Sequence, residues 1–152
     1  MFFVEKKNGK KRMVQDYKYL NKETVKDNYP LPLISDLINT IKTKKVFTKM
    51  NLHWGYNNIQ IKEGNEWKTV FTIHLGVYEP TVMFFGLTNS PATFQVIIND
   101  ILRDLIDTKD MAAFMDNILV ETEDKRRYDK IVEKVLKRIE INDLYMKPKK
   151  CM

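Results

Sequence analysis

One cysteine in 152 residues, Cys151, leaves no partner for an internal disulfide and fits a reducing intracellular setting, cytoplasmic or nuclear. The same scarcity excludes a zinc ribbon, and of the two histidines, His53 and His74, neither is read as a metal ligand. Long apolar runs are missing too. None approaches the about 20 residues that cross a bilayer, and the apolar start Met1-Phe2-Phe3-Val4 is broken at Glu5, too early for a secretory signal. No membrane partner is expected. Internal repeats, low-complexity stretches and linkers are absent as well, so one domain is expected over residues 1–152.

What is present is a composition able to build a core: 43% apolar and 30% charged. The formal net charge of +6 favours a polyanion such as nucleic acid as partner. A solvated lysine-rich surface accounts for that charge equally well.

Periodicity and punctuation set out the elements. Phe2 to Tyr17 is predicted as a β-hairpin about Asn8-Gly9, a strong two-residue turn signal, with Lys6, Lys7, Lys10, Lys11 and Arg12 crowding its tip. Tyr29-Pro30-Leu31-Pro32-Leu33 is extended, because each residue before a proline is pushed out of the helical region. A helix is predicted from Ser35, its candidate N-cap, to Ile41. A strand follows from Val46 to Leu52, then strand-like pieces at Asn58 to Lys62, Lys68 to His74 and Tyr78 to Phe84. Thr93 to Leu105 has helical spacing of Phe94, Ile97, Ile98, Ile101, Leu102 and Leu105. Met111 to Met115 and Ile118 to Val120 are expected to form two short buried strands joined at Asp116-Asn117. A long amphipathic helix should run from about Asp124 to Ile141, with Tyr128, Ile131, Val135 and Ile139 as its stripe, and Leu144 to Met146 as a candidate edge strand. The fold class is α+β, an antiparallel sheet backed by helices, with a hairpin beside it.

Several segments in order carry a resemblance: Lys6-Lys7-Asn8-Gly9-Lys10-Lys11-Arg12, Asp16-Tyr17-Lys18-Tyr19-Leu20-Asn21, Tyr29-Pro30-Leu31-Pro32, Phe47-Thr48-Lys49-Met50-Asn51-Leu52 with Gly55-Tyr56, and Ile61-Lys62-Glu63-Gly64 with Trp67-Lys68-Thr69. The run from Phe85 to Gln95 is the most specific, and Asp116 to Val120 closes the series. The chain resembles the fingers and palm of a reverse transcriptase from a gypsy-type long-terminal-repeat retroelement. The resemblance implies fingers-like parts at about 1–45 and 57–85, palm-like parts at 46–56 and 86–152, and a stop before the thumb, with no ribonuclease H.

Template-directed nucleotide addition uses two divalent cations, Mg²⁺ or Mn²⁺, bridging the triphosphate and the primer hydroxyl. In the family pattern one aspartate comes from the strand at Val46 to Leu52 and two from the later hairpin. This chain has Asn51, Asp116 and Asn117 at those places. An amide oxygen ligates a metal without bringing charge, so losing two of three carboxylates should weaken cation binding severely. The resemblance further implies nucleotide contacts by Lys6 and Arg12 on the triphosphate, Tyr56 on the sugar, Phe85 and Gly86 beneath the nucleotide, and Met115 at the primer end. As solvated hairpin charges or core side chains, the same residues would have no such role.

Trp54 departs from the family's usual small residue, Phe84 from its proline and Lys18 from its arginine. The expected function is a catalytically disabled domain of retroelement origin with weak affinity for an RNA/DNA primer–template. A non-catalytic interaction scaffold is the alternative, and residual polymerase activity through Asp116 a weaker one. An exposed apolar surface or self-association is expected near Leu144 to Met152, where a thumb would dock.

Overall fold

In a computed structural model, the structure describes residues 2–6, 9–42 and 44–151, without the side chains of Thr40, Ile41 and Lys150. The chain divides into two compact units, residues 1–27 with 56–91, and residues 28–55 with 92–152.

The first unit opens on the expected hairpin. Strand β1 (Phe2–Glu5) pairs antiparallel with β2 (Lys11–Val14), from Phe2 opposite Val14 to Glu5 opposite Lys11. The Lys6 N–H donates to the Lys10 carbonyl at 2.7 Å, one step beyond the strand ends. Asn8, half of the expected turn pair, and Lys7 fall outside the described residues; Gly9 has a φ of 73°, which glycine adopts without strain. A short helix α1 (Lys18–Glu23), unforeseen in the sequence, follows. Asp16 accepts from the Lys18 N–H at 3.0 Å just ahead of it, an Asx-type start that a six-residue helix makes hard to see by periodicity.

The strand-like pieces of this unit are mostly corrected. Residues 58–62 hold one end of a 3₁₀ turn (Gly55–Asn58) and a single bridge, Gln60 to Val82, rather than a strand. Lys68 and Thr69 belong to a 3₁₀ turn (Glu66–Thr69) closed by the Thr69 hydroxyl on the Glu66 carbonyl at 2.8 Å. Of the piece from Lys68 to His74, only Phe71–Ile73 is strand, the β4 that pairs with β5 (Gly76–Tyr78). Beyond Tyr78 the strand stops. Pro80 has no N–H to give a ladder.

The second unit carries the expected sheet and its helices. Helix α2 (Ile34–Ile41) begins one residue before Ser35, which is therefore inside it, not its N-cap. β3 (Val46–Asn51), β6 (Met111–Phe114) and β7 (Asn117–Thr122) form an antiparallel sheet in the order β3-β7-β6. Helix α3 (Ser90–Ile106), with Pro91 in its first turn, buries Phe94, Ile98 and Leu102 completely. Helix α4 (Lys125–Ile141) packs on β7 and β3 and buries Ile131, Val135 and Ile139, three of its four expected stripe residues. Tyr128, the fourth, gives its hydroxyl to a hydrogen bond with that of Thr48. Asp124 caps α4, accepting from the Arg126 N–H at 3.3 Å. Each fully buried aliphatic or aromatic side chain of this core stabilises by about 1.5–3 kcal/mol.

Leu144 to Met146 is not a strand. It meets the residues just after β3 through one isolated bridge, Leu52 to Met146, with the His53 N–H donating to the Tyr145 carbonyl at 2.6 Å. The apolar surface expected here is partial: Leu144 is buried, Leu136 and Tyr145 are exposed and line an open groove, and Ile141 is exposed outside it. No helix among the described residues is long and apolar enough to cross a membrane.

One buried charge in this unit is unusual. Glu121 on β7 is 1% exposed, and its Oε2 has no hydrogen-bond partner among the described residues. Burial raises its pKa above the ordinary 4.5; Lys44 opposes that and Asp110 adds to it. Asp110 itself pairs with Lys44 at 3.5 Å and with Arg127. A carboxyl with a raised folded pKa binds its proton more tightly in the native state, so its contribution is retained at low pH and lost as pH climbs above 4.5. Glu121→Gln is therefore expected to melt higher than the parent at neutral pH, with the gap closing toward pH 4 to about nothing. A melting series across pH checks this.

Candidate active site

Asn51 ends β3, and Asn117 starts β7 directly opposite it. Asp116 sits between, because the β6–β7 connection is Met115–Asp116, not Asp116-Asn117 as the sequence suggests: Phe114 pairs with Asn117. The register puts Asn51, Asn117 and Phe114 on one face of the sheet, opposite the one carrying Met50, Ile118 and Ala113. The three sequence-predicted positions thus come together. Asn51 Nδ2 donates to Asp116 Oδ2 at 3.1 Å, to the Asp116 carbonyl at 3.3 Å and to Asn117 Oδ1 at 3.3 Å. Asn117 Nδ2 donates to Asp116 Oδ1 at 3.1 Å. Asn51 is 4% exposed, whereas Asp116 and Asn117 are half-buried.

The end of β6 and the start of the turn are held by a residue that the sequence presents only as a member of a motif. Met115 has a φ of 52°, uncommon for a residue with a side chain. Gln95 on α3, fully buried, accepts from the Met115 N–H at 2.8 Å and donates to the Ala113 carbonyl at 2.9 Å and to Asn99 at 2.9 Å. The available signal was a polar amide between Phe94 and Ile98, on a helix turn that otherwise carries core residues. A single side chain with a donor and an acceptor thereby fixes the end of β6 and the first residue of a strained turn.

The donor set does not fit a pair of divalent cations. Asp116 supplies the one carboxylate, and each of its oxygens already accepts an amide N–H from Asn51 or Asn117. Mg²⁺ is ordinarily anchored by carboxylates together with substrate phosphates. No group of three or more His, Cys, Asp or Glu able to hold a metal occurs among the described residues. Trp54, next but one to Leu52, has a φ of 53°, is exposed and stacks on His53 at 4.7 Å.

The first unit gathers other predicted residues around Phe85. The Arg12 guanidinium lies 4.7 Å over the Phe85 ring centre, and Tyr56 meets the same ring edge-on at 4.9 Å. Gly86 has a φ of 108°, and a Cβ there would come 3.0 Å from the Gln15 carbonyl, so the position needs glycine. Its own carbonyl accepts from Asn21 Nδ2 at 2.7 Å. Lys6 is exposed at the hairpin end. Within this unit, then, a cation, two aromatic rings and a close-packed glycine turn are assembled; Met115 belongs to the other unit.

Residues 4–152 match the reverse transcriptase (RNA-dependent DNA polymerase) family. The transposon Tf2-7 and Tf2-3 polyproteins of Schizosaccharomyces pombe are each 38% identical over 151 residues, 99% of this chain and 11% of theirs. The chain therefore spans about a tenth of the length of these curated relatives. Foamy viral protease-reverse transcriptase dRH in complex with ds DNA is similar in fold, with a TM-score of 0.86 at 28% identity over 98% of this chain and 26% of that one. Foamy viral protease-reverse transcriptase in complex with RNA/DNA hybrid has a TM-score of 0.81 at 26% identity, over 98% and 20%. Sequence and fold agree along nearly the whole length, and the chain belongs to the reverse transcriptase (RNA-dependent DNA polymerase) family, as a domain of a long-terminal-repeat retroelement.

Proposed function

We propose that this chain is a fingers–palm module of gypsy type that is disabled for nucleotide addition and keeps weak, sequence-independent affinity for a primer–template duplex. The observation carrying this reading is the amide-saturated Asp116, one carboxylate where the family's chemistry calls for three. In the second unit Asn51, Asp116 and Asn117 are the degenerate catalytic positions, and Met115 the residue for the primer end. In the first unit Lys6 and Arg12 are assigned to phosphate, and Tyr56, Phe85 and Gly86 to the nucleotide. About 1–45 and 57–85 are the fingers-like parts, and 46–56 and 86–152 the palm-like parts.

The nucleic-acid half of the proposal draws support from the net charge of +6 and from the exposed Lys6, Lys10, Lys11 and Arg12 along one hairpin. It also draws on the duplex and hybrid bound by the foamy viral relatives. A hairpin edge approaches a phosphate backbone without clash, and contacts of this kind release counterions on binding. Binding is expected with a dissociation constant of about 10⁻⁴–10⁻⁶ M at physiological salt. Replacing Lys6, Lys10, Lys11 and Arg12 by alanine should flatten the plot of log affinity against log salt by up to about 0.9 per lost phosphate contact. Fluorescence anisotropy of a labelled primer–template across a salt series measures both. A quadruple variant that binds as tightly, and with the same slope, as the parent would sink the assignment.

A further inference from the structure

Asp116 is held as a cation would hold it, but by amides. Each carboxylate oxygen has its own N–H donor at 3.1 Å, one from Asn51 and one from Asn117. Asn51 Nδ2 also reaches Asn117 Oδ1 at 3.3 Å, which links the two amides to each other as well as to the acid. The main chain ties the same residues together: the Leu52 N–H donates to the Asp116 carbonyl, and the Lys147 N–H to the Asn51 carbonyl, each at 2.8 Å. Asn51 is 4% exposed, so a charge placed at that position is largely removed from water.

With aspartate at 51 and 117, both N–H donors would become acceptors facing acceptors. Three anions would then share a half-buried corner between a strand end and a turn already held at a positive φ. Such an arrangement is strained at neutral pH unless positive charge lies between the carboxylates or one of them takes up a proton. A bound cation supplies that charge in one kind of site; neutral donors remove the need for it in the other.

We propose that the amide nitrogens of Asn51 and Asn117 take the place of divalent cations, closing this corner by hydrogen bonds, so that the fold of this chain does not depend on metal. The inference rests on the reading of the corner as a disabled metal centre, yet its test uses stability and cation binding rather than polymerase activity. Two neutral side chains thus have a structural task of their own and are not merely lost ligands.

The test compares the full chain with the Asn51→Asp/Asn117→Asp double variant in thermal melts, in EDTA and in millimolar Mn²⁺ or Mg²⁺ at matched ionic strength. The parent is expected to melt within about 1 °C in all conditions, and the double variant about 4–8 °C lower in EDTA, with at least about half of that recovered by Mn²⁺. A double variant that melts with the parent in EDTA overturns the proposal, as does a parent whose midpoint Mn²⁺ raises as far as the variant's. Should the double variant not fold, Asn117→Asp alone carries the test, since it keeps the Asn51 donor; a midpoint for it that is unmoved by Mn²⁺ overturns the proposal. Electron paramagnetic resonance of Mn²⁺ adds a reading on the parent itself, whose free-ion signal should be undiminished at equimolar protein; stoichiometric loss of that signal counts against the proposal. Primer extension by the parent would undo the disabled-module reading without moving these melting curves, so the two fail separately.

Discussion

Incubated with a primed template, the four deoxynucleotides and Mg²⁺, the purified chain is expected to add no nucleotide above background. The physical reason lies in charge. Two-cation phosphoryl chemistry needs the ions held about 3.5–4 Å apart and their repulsion offset by carboxylates. Here one carboxylate is present, and amide N–H groups, which repel a cation, point at both of its oxygens. Removing one group that stabilises developing charge costs about 10²–10³ in rate, so the loss of two places activity at least about 10⁴-fold below a three-carboxylate site. A gel-based single-nucleotide extension assay reads this directly. Processive synthesis by the unaltered chain would refute the disabled reading. Mn²⁺ in place of Mg²⁺ is expected to leave the result unchanged, because both ions need the same missing charge.

Gln95→Leu is expected to destabilise the second unit by about 2–5 kcal/mol although it adds apolar volume to a core helix. The Met115 N–H and the Ala113 carbonyl both lose their side-chain partner, and each buried polar group left unpaired costs about 1–3 kcal/mol. Chemical denaturation measures the loss. The specific signature is local: hydrogen exchange at the Met115 N–H should quicken more than exchange elsewhere in β6 and β7, because that N–H lies in a turn at a φ of 52° with Gln95 as its acceptor. A variant as stable as the parent, with Met115 still protected, would show that the turn holds itself. Gln95→Glu keeps the acceptor for Met115 but turns a carboxylate toward the Ala113 carbonyl in a fully buried place, so at neutral pH a loss at least as large as that of Gln95→Leu is expected.

Much of the architecture was legible in the residues. Ile131, Val135 and Ile139 at helical spacing marked the buried stripe of α4, and Asp124 its approximate start. Phe94, Ile98, Leu102 and Leu105 did the same for α3, and two short apolar runs flanking Asp116-Asn117 marked a buried hairpin. The helical stripes are set by the period of 3.6 that such a chain must satisfy to hide its apolar face, and the strands by short apolar runs bounded by a turn signal. The first unit was less legible. Its pieces are three or four residues long, and at that length a 3₁₀ turn such as Glu66–Thr69 and a strand such as Phe71–Ile73 have the same local pattern.

Residue identity alone determined that two of three expected carboxylates are amides, and with it the prospect of a family site short of charge. The chain's own order of motifs also sufficed to bring Asn51 and Asp116 together, although Asp116 lies in the turn between β6 and β7 and not on a strand. Tertiary structure decided the rest, because each remaining feature joins residues distant in the chain. It set the turn at Met115–Asp116, one residue earlier than the Asp-Asn pair suggested, by pairing Phe114 with Asn117. It made Gln95 the clamp of that turn across 20 positions of sequence. It kept Leu144 to Met146 to a single bridge, with Leu52 just past β3. And it aimed both amide nitrogens at the one acid, since only the strand register that sets Asn51 against Asn117 brings two neutral donors within hydrogen-bonding distance of the same carboxylate.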